Sequence, residues 1–299
     1  MEETSEFKSG FVTIVGAPNT GKSTLLNRML GEKISITSSK PQTTRNRILG
    51  VVHRPNAQMV FLDTPGIHQA TEPLNVRIVD EALCAMADGD IILFVVDAEH
   101  GDDTSEKLLL KKLIELKTPV ILALNKIDLI RKEDLLVLID KWSGMHSFQA
   151  VVPICAATGE QVESLLFEME QLLPKGPPFF PEDTLTDLPQ RFIVAEIIRE
   201  KVFRLTGQEI PYATAVTVES FKGKNNGKII HIEATIHLER DSQKGIVIGK
   251  QGQKLKKIGE DARKEIERLL ATRVFLKLFV RVQKNWSRDT KALRLFGYG

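Results

Sequence analysis

The segment Gly16-Ala17-Pro18-Asn19-Thr20-Gly21-Lys22-Ser23 directly follows the apolar run FVTIV at 11–15 and opens a helical pattern at 22–30. No other feature constrains the chain so strongly. GxxxxGK[ST] between a strand and a helix makes a concave site in which successive backbone N–H groups and the helix N-terminus face an anion. A glycine-rich turn without chemistry is the alternative, and the strand–loop–helix context argues against it. In the phosphate-binding reading residues 16–23 and Thr24 surround the phosphates, Lys22 reaches the β- and γ-phosphates, and the Ser23 hydroxyl coordinates Mg²⁺.

Around this loop, strand-length apolar runs (48–53, 59–63, 91–97, 119–125 and 151–155) alternate with helical patterns at 73–87, 104–117, 132–142 and 159–173. Such alternation predicts a doubly wound α/β sheet with helices on both faces. The turn RPNAQ joins 48–53 to 59–63 and predicts one antiparallel pair, so the sheet is mixed. The longest unbroken apolar stretch is Ile91–Val96, far below the roughly 18 residues of a membrane span. With 42% hydrophobic and 27% charged residues, disordered and fibrous classes are excluded. Cys84 and Cys155 have neither disulfide nor zinc spacing and read as reduced, buried side chains.

Three further motifs end predicted strands. Asp63-Thr64-Pro65-Gly66 puts a carboxylate at the carboxyl edge of the sheet, where ligands of such folds bind. Asp63 would hold Mg²⁺ through water, and Gly66 would offer its N–H to the γ-phosphate. Asn125-Lys126-Ile127-Asp128 ends another strand. The Asp128 carboxylate can accept from two donors of guanine, a pair that adenine lacks. Cys155-Ala156-Ala157 follows the last strand and could supply an N–H to guanine O6. A kinase or ATPase loop is the rival reading, and Asp128 speaks against adenine.

These motifs resemble the translation-factor-related GTPases, and PQTTR at 41–45 resembles the effector loop of their Era-type branch. The likeness implies Thr44 as the second Mg²⁺ hydroxyl, with Thr43 as fallback. Cys155 stands where that family more often has Ser, with little consequence expected because the implied contact is made by the Ala156 backbone. Lys22, Thr44, Gly66 and Asn19 are the expected catalytic group. Ile67 follows Gly66 where Ras-like enzymes carry a water-orienting Gln, which predicts slow intrinsic hydrolysis. Asn19 resembles the residue with which potassium-dependent GTPases bind a monovalent cation; equally, an Asn there suits a turn conformation. Mg²⁺ is the expected cofactor, with K⁺ open beside it.

Charge divides the chain. Residues 1–180 carry 18 Lys+Arg against 24 Asp+Glu, whereas 181–299 carry 23 against 15. A basic half fits a polyanionic partner. Between the halves, PKGPPFFPEDTLTD predicts a proline-rich linker. The expected organisation is a phosphate-loop domain at 1–173, a linker at 174–189 and a second domain at 190–299.

In the second half a helix at 190–204, strands at 212–222 and 228–239, a short apolar helix, a basic helix at 253–270, a strand at 273–283 and a closing helix at 286–296 are predicted. Gly249-Lys250-Gln251-Gly252 lies between the two central helices. A GxxG turn admits a sugar-phosphate backbone closely. The α-β-β-α-α-β order resembles a type II KH domain, an α+β RNA-binding fold, and residues 243–294 carry 15 Lys+Arg against 5 Asp+Glu. Gly249, Lys250, Gln251, Gly252 and Lys254 are the candidate RNA contacts. Trp286 reads as a core anchor, and His231 and His237 as structural.

A GTPase domain followed by a KH domain resembles the Era-type GTPases over essentially the whole chain. That resemblance implies GTP binding and hydrolysis, binding to the 3′ end of small-subunit (16S) ribosomal RNA, and assistance in assembly and maturation of the small ribosomal subunit. The polar N-terminus lacks a signal-peptide pattern, so the expected address is the cytoplasm, with peripheral contact at the inner face of the cell membrane left open. A scaffold that holds GTP without turning it over is the competing class.

Overall fold

The structure, a computed structural model, describes residues 6–37, 44–67, 86–207, 210, 213–224 and 228–296. The chain divides into two compact units, Met1–Ser35 with Thr44–Asp187, and Ile36–Thr43 with Leu188–Gly299.

The first unit is built on strands β1 (Lys8–Val15), β2 (Ile48–Arg54), β3 (Ala57–Asp63), β4 (Ile91–Asp97), β5 (Val120–Asn125) and β6 (Ala150–Ile154). Their order is β2-β3-β1-β4-β5-β6. Every pair is parallel except β2 with β3, which the RPNAQ turn joins. β3, β4 and β5 are buried along their whole length, as strands covered on both faces must be. Helices α1 (Lys22–Leu30), α2 (Asp103–Glu115), α3 (Lys132–Ser143) and α4 (Val162–Leu172) connect them. The helix expected at 73–87 falls largely outside the described residues, as does Cys84. α4 starts at Val162 rather than 159 because Gln161 holds a left-handed φ of 60°, which a continuing right-handed helix excludes.

Residues 174–187, expected to be a linker, are bonded to the first unit. Ser9 N–H donates to Pro174 O, and Ser9 Oγ donates to Pro177 O. Gln58 Oε1 accepts from the N–H groups of Phe179 and Phe180. Val51 N–H donates to Leu185 O at 2.9 Å, and Thr186 Oγ1 to Leu49 O at 2.6 Å. Phe180 packs on Leu49, Val51, Val60 and Leu62. The segment thus takes up hydrogen-bonding groups on edge strand β2, the groups an edge otherwise leaves exposed.

In the second unit α5 (Gln190–Leu205) leads to β7 (Ala215–Lys224) and β8 (Ile229–Leu238), then α6 (Asp241–Ile248), α7 (Gln253–Leu270), β9 (Arg273–Val282) and α8 (Thr290–Leu295). The sheet order is β7-β8-β9, antiparallel then parallel, with a bulge between Val218 and Ser220. α5 packs on β7 and α7 on β9. α7 buries Ile258, Ala262 and Ile266, spaced four apart on one stripe, and leaves its basic side chains outside that stripe. The closing helix is split. Trp286–Arg288 forms a short 3₁₀ turn, and the Asp289 side chain then caps α8 by accepting from Lys291 N–H. Trp286 is fully buried and donates Nε1–H to Ala213 O. Among the described residues no helix is long and apolar enough to cross a membrane.

Candidate functional site

The phosphate loop leaves β1 between its parallel neighbours β3 and β4. This is the position where successive crossovers diverge and a crevice opens at the carboxyl edge. Close packing explains two glycines: a Cβ on Gly16 would come within 2.3 Å of Val95 O, and one on Gly66 within 2.8 Å of the Pro18 backbone. The DTPG turn therefore lies against the phosphate loop, and Ile67 N–H donates to Gly16 O at 3.2 Å. Asn19 is exposed and holds a left-handed φ of 66°.

Lys22 is buried, and its Nζ donates to Gly16 O at 3.0 Å and Ala17 O at 2.7 Å. Burial lowers its pKa to about 8, with the Asp63 charge pulling it partly back up. Burial likewise raises the Asp63 pKa to about 6, against hydrogen bonds from Ser23 and Ser35 and the charge of Lys22. Ser23 Oγ donates to Asp63 Oδ2 at 2.7 Å, and Thr44 Oγ1 lies 2.8 Å from Ser23 Oγ. Since the Ser23 proton goes to Asp63, Thr44 donates to Ser23. Asp63 Oδ1 is buried with no hydrogen-bond partner among the described residues. Two hydroxyls and an unsatisfied carboxylate oxygen form a hard-oxygen set, the donor chemistry that suits Mg²⁺. Thr43, the fallback hydroxyl, lies outside the described residues together with Pro41 and Gln42.

On the other side of the crevice, Asn125 Nδ2 donates to Thr20 O at 2.7 Å, and its Oδ1 accepts from Ala156 N–H at 2.9 Å. Asn125 thereby joins the phosphate loop to the loop after β6. Lys126, at a left-handed φ of 68°, pairs with Asp97 at 2.5 Å. Asp128 is exposed on a 3₁₀ turn, Ile127–Leu129. Cys155 is buried, and Arg28 donates to the carbonyls of Ala156 and Ala157. Ile67 is fully buried among Val15, Met86 and Phe94, so its side chain belongs to the core.

Some contributors were missed in the sequence. Asp97 ends β4 as Asp63 ends β3, so its place at a strand's carboxyl edge was a usable signal. Ser35 on Asp63, and Asn27, which binds both Ile34 and Ser35 backbone groups, carried none, because their partners are defined only by the loop's path.

In the second unit Gly249, Gln251 and Gly252 all have positive φ (72°, 51° and 78°). A Cβ on Gly249 would lie 2.7 Å from Lys254 Cβ, whereas one on Gly252 would meet nothing within 4 Å. Gly249 is thus required by packing, and Gly252 faces open space. From it runs a groove of about 470 Å³ lined by Gly252, Leu255, Lys256, Gly259, Glu260, Arg263, Leu276 and Leu278. Of the expected RNA contacts Gly252 lines this groove and Gly249, Lys250, Gln251 and Lys254 do not; its basic side chains are Lys256 and Arg263, while Lys257 pairs with Asp261 at 2.9 Å.

Residues 11–126 match the family described as 50S ribosome-binding GTPase, and 209–287 match the KH domain family. The chain is 55% identical over 293 residues to GTPase Era of Geotalea uraniireducens, covering 98% of each protein. It is 49% identical to GTPase Era of Lacticaseibacillus paracasei, again over 98% of each. Two crystal structures superpose with TM-scores of 0.94: an Aquifex aeolicus Era variant bound to GDP and AlF4⁻, 42% identical, over 98% of this chain and 100% of that one; and Era in complex with MgGDPNP and nucleotides 1506–1542 of 16S ribosomal RNA, 43% identical, over 98% and 99%.

Proposed function

This chain belongs to the Era family of GTPases, and from that premise we propose that it binds and slowly hydrolyses GTP and binds the 3′ end of 16S ribosomal RNA to assist assembly and maturation of the small ribosomal subunit. The observation that carries the nucleotide half is the meeting, at one sheet edge, of Lys22, the Ser23–Asp63–Thr44 cluster and the Thr20–Asn125–Ala156 bridge. The RNA half is supported by the basic GxxG groove and by the relative crystallised with 16S nucleotides 1506–1542. That small-subunit RNA outweighs the 50S wording of the family description, because its protein matches 98% of this chain and the family only 11–126.

Residues 16–24 wrap the phosphates, and Lys22 exchanges its loop carbonyls for β- and γ-phosphate oxygens. Gly66 donates its N–H to the γ-phosphate. Ser23 and Thr44 hold Mg²⁺ directly and Asp63 holds it through water; the ion supplies charge neutralisation between the β- and γ-phosphates. Asp128 accepts from the two guanine donors. Asn125, braced at both ends, keeps the base pocket and phosphate loop in register, and Asp97 holds Lys126 beside them. Because Ala156 N–H is spent on Asn125, the neighbouring Ala157 N–H is the better donor to guanine O6, with Cys155 as buried support.

Ile67, locked in the core, cannot orient the attacking water. This favours a slow intrinsic rate and leaves room for K⁺ at Asn19. The left-handed φ of Asn19 supports the turn role equally, and the two are compatible because one uses the backbone and the other the side-chain carbonyl. On RNA, Gly249, Lys250, Gln251, Gly252 and Lys254 form the backbone clamp. The same reading assigns the chain to the cytoplasm, with peripheral contact at the inner membrane face as its finer form, testable by vesicle cosedimentation.

Multiple-turnover phosphate release, with and without the 1506–1542 RNA, tests the whole. Release at less than one phosphate per protein under every condition would leave a GTP-holding scaffold instead.

A further inference from the structure

β9 alternates Phe275, Lys277, Phe279 and Arg281, all exposed, with Val274, Leu276, Leu278 and Val280, which are buried or half-buried. The second set is on the helix side, where Leu276 and Leu278 line the GxxG groove. The first set stands on the outer face of the sheet. There Phe275 is 53% and Phe279 37% exposed, a placement that forfeits the burial two aromatic rings would otherwise gain. Beside them on β8 stand His231, Glu233 and Thr235, and Glu233 lies 3.9 Å from Lys277 Nζ, so that cation is shared between a carboxylate and the Phe279 ring. The His231 ring lies 5.0 Å from Phe275, Lys277 Nζ sits 4.8 Å over the Phe279 ring, and the register sets Lys222 beside His231. Among the described residues Phe296 covers His237 and Trp286 at one end of this face.

We propose that this outer face is a second RNA-binding surface, on which bases of a single-stranded segment stack on Phe275 and Phe279 while Lys277 and Arg281 meet its phosphates. The proposal rests on the RNA-binding reading above and extends it to a surface that the GxxG turn does not include. Every base has a π-face and every nucleotide a phosphate, so rings alternating with cations on a rigid strand are complementary to single-stranded nucleic acid regardless of sequence. Rings four residues apart on one strand face are about 13 Å apart, which leaves room for an intervening nucleotide against Lys277. Edge strand β9 borders both surfaces, so an RNA leaving the groove across Leu276 and Leu278 reaches Phe275 and Phe279 by passing over a single strand. On this face Lys222, Arg273, Lys277 and Arg281 outnumber Glu219 and Glu233, and that excess of cations favours RNA over an apolar protein partner.

The full chain, loaded with a GTP analogue, is titrated with labelled RNA of the 1506–1542 sequence and, separately, with oligouridine. Phe275→Ala together with Phe279→Ala should lower affinity for both probes by about 10-fold or more, with the unfolding temperature unchanged because neither ring is in the core. Phe275→Tyr together with Phe279→Tyr should retain wild-type affinity. Lys277→Gln with Arg281→Gln should reduce the slope of log affinity against log salt by about two. Undiminished affinity in the stable double-Ala variant overturns the proposal, as does an unchanged salt slope should that variant lose stability. Gly252→Asp in the same assay separates the sites: if it alone weakens binding, the groove reading stands and the outer face falls, and if neither variant weakens binding, both fall. Loss of cosedimentation with anionic phospholipid vesicles, with RNA affinity intact, would overturn the proposal in favour of a membrane surface.

Discussion

Asn125 Nδ2 donates to Thr20 O at 2.7 Å, so the residue that opens the NKID motif is bonded into the phosphate loop about a hundred positions earlier in the chain. Its Oδ1 holds the loop after β6 through Ala156 N–H. Asn125→Ala leaves a buried carbonyl and a buried N–H without partners, each costing about 1–3 kcal/mol. The expected outcome is a loss of roughly 2–6 kcal/mol in denaturant unfolding, accompanied by weakened binding of GDP and GTP alike. A variant with wild-type stability and nucleotide affinity would show that the bridge is dispensable.

Asp128 is exposed, so its replacement tests the proposed role in base choice with little cost in stability. Asp128→Asn should shift preference from GTP toward XTP, since xanthine presents a carbonyl where guanine presents its amine and the new amide donates to it. Competition binding with both nucleotides checks this, and unchanged GTP preference would remove the assignment.

Gly66 has no room for a methyl group, with Pro18 backbone atoms 2.8 Å from the position of a Cβ. Gly66→Ala should push the DTPG turn off the phosphate loop and displace the N–H assigned to the γ-phosphate. GTP-analogue affinity should fall at least about 10-fold relative to GDP affinity, because the γ-phosphate contact is the one lost. Isothermal titration with both nucleotides reads the difference; equal losses would place the γ-phosphate donor elsewhere.

If Asn19 anchors a cation, replacing sodium with potassium at constant ionic strength should accelerate phosphate release, and Asn19→Ala should erase the difference. Equal rates in the wild-type protein would leave Asn19 as a left-handed turn residue, for which its φ of 66° already suits it. Gln at position 67 should not accelerate hydrolysis, because that side chain lies in the core and the polar substitution would cost stability.

His237 gives a stability prediction with a definite sign. Its Nε2–H donates to Thr217 Oγ1, whose own proton goes to Glu219, while Nδ1 is buried with no hydrogen-bond partner among the described residues. Burial lowers its pKa below 6.5, opposed by Glu219 and assisted by Arg281. The unfolded state therefore binds a proton more readily than the folded one. The stabilising contribution is complete above the unfolded pKa of about 6.5, and it is lost as pH falls from there through the lower folded pKa. Unfolding followed from pH 7.5 to 5 should show this loss, and His237→Gln should flatten that part of the profile. An NMR titration placing the His237 pKa at or above 6.5 would contradict the burial argument.

Features made of neighbouring residues could be read along the chain. The phosphate loop, DTPG, NKID and GxxG are each made of residues within a few positions of one another, and strand and helix periodicity marks where each begins, so the motifs and the layered α/β architecture were legible. Contacts between residues distant along the chain depend instead on how the elements pack. Asn125 and Thr20 meet only because β5 and β1 end at one sheet edge. Pro174 to Asp187 falls within the stretch read as a proline-rich linker because its own residues name no partner, and it is Ser9, Gln58 and the exposed groups of β2, brought together by the sheet, that capture it. The 3.6-residue period put Lys254, Lys256 and Lys257 on one basic helix without saying which side meets a groove. In β9 the period of two separated Phe275 and Phe279 from Leu276 and Leu278, yet both sets are apolar. Which pair stays in water was settled by α7 packing on one face and leaving the other uncovered, a choice that burial energy makes over the whole unit and no short stretch of sequence encodes.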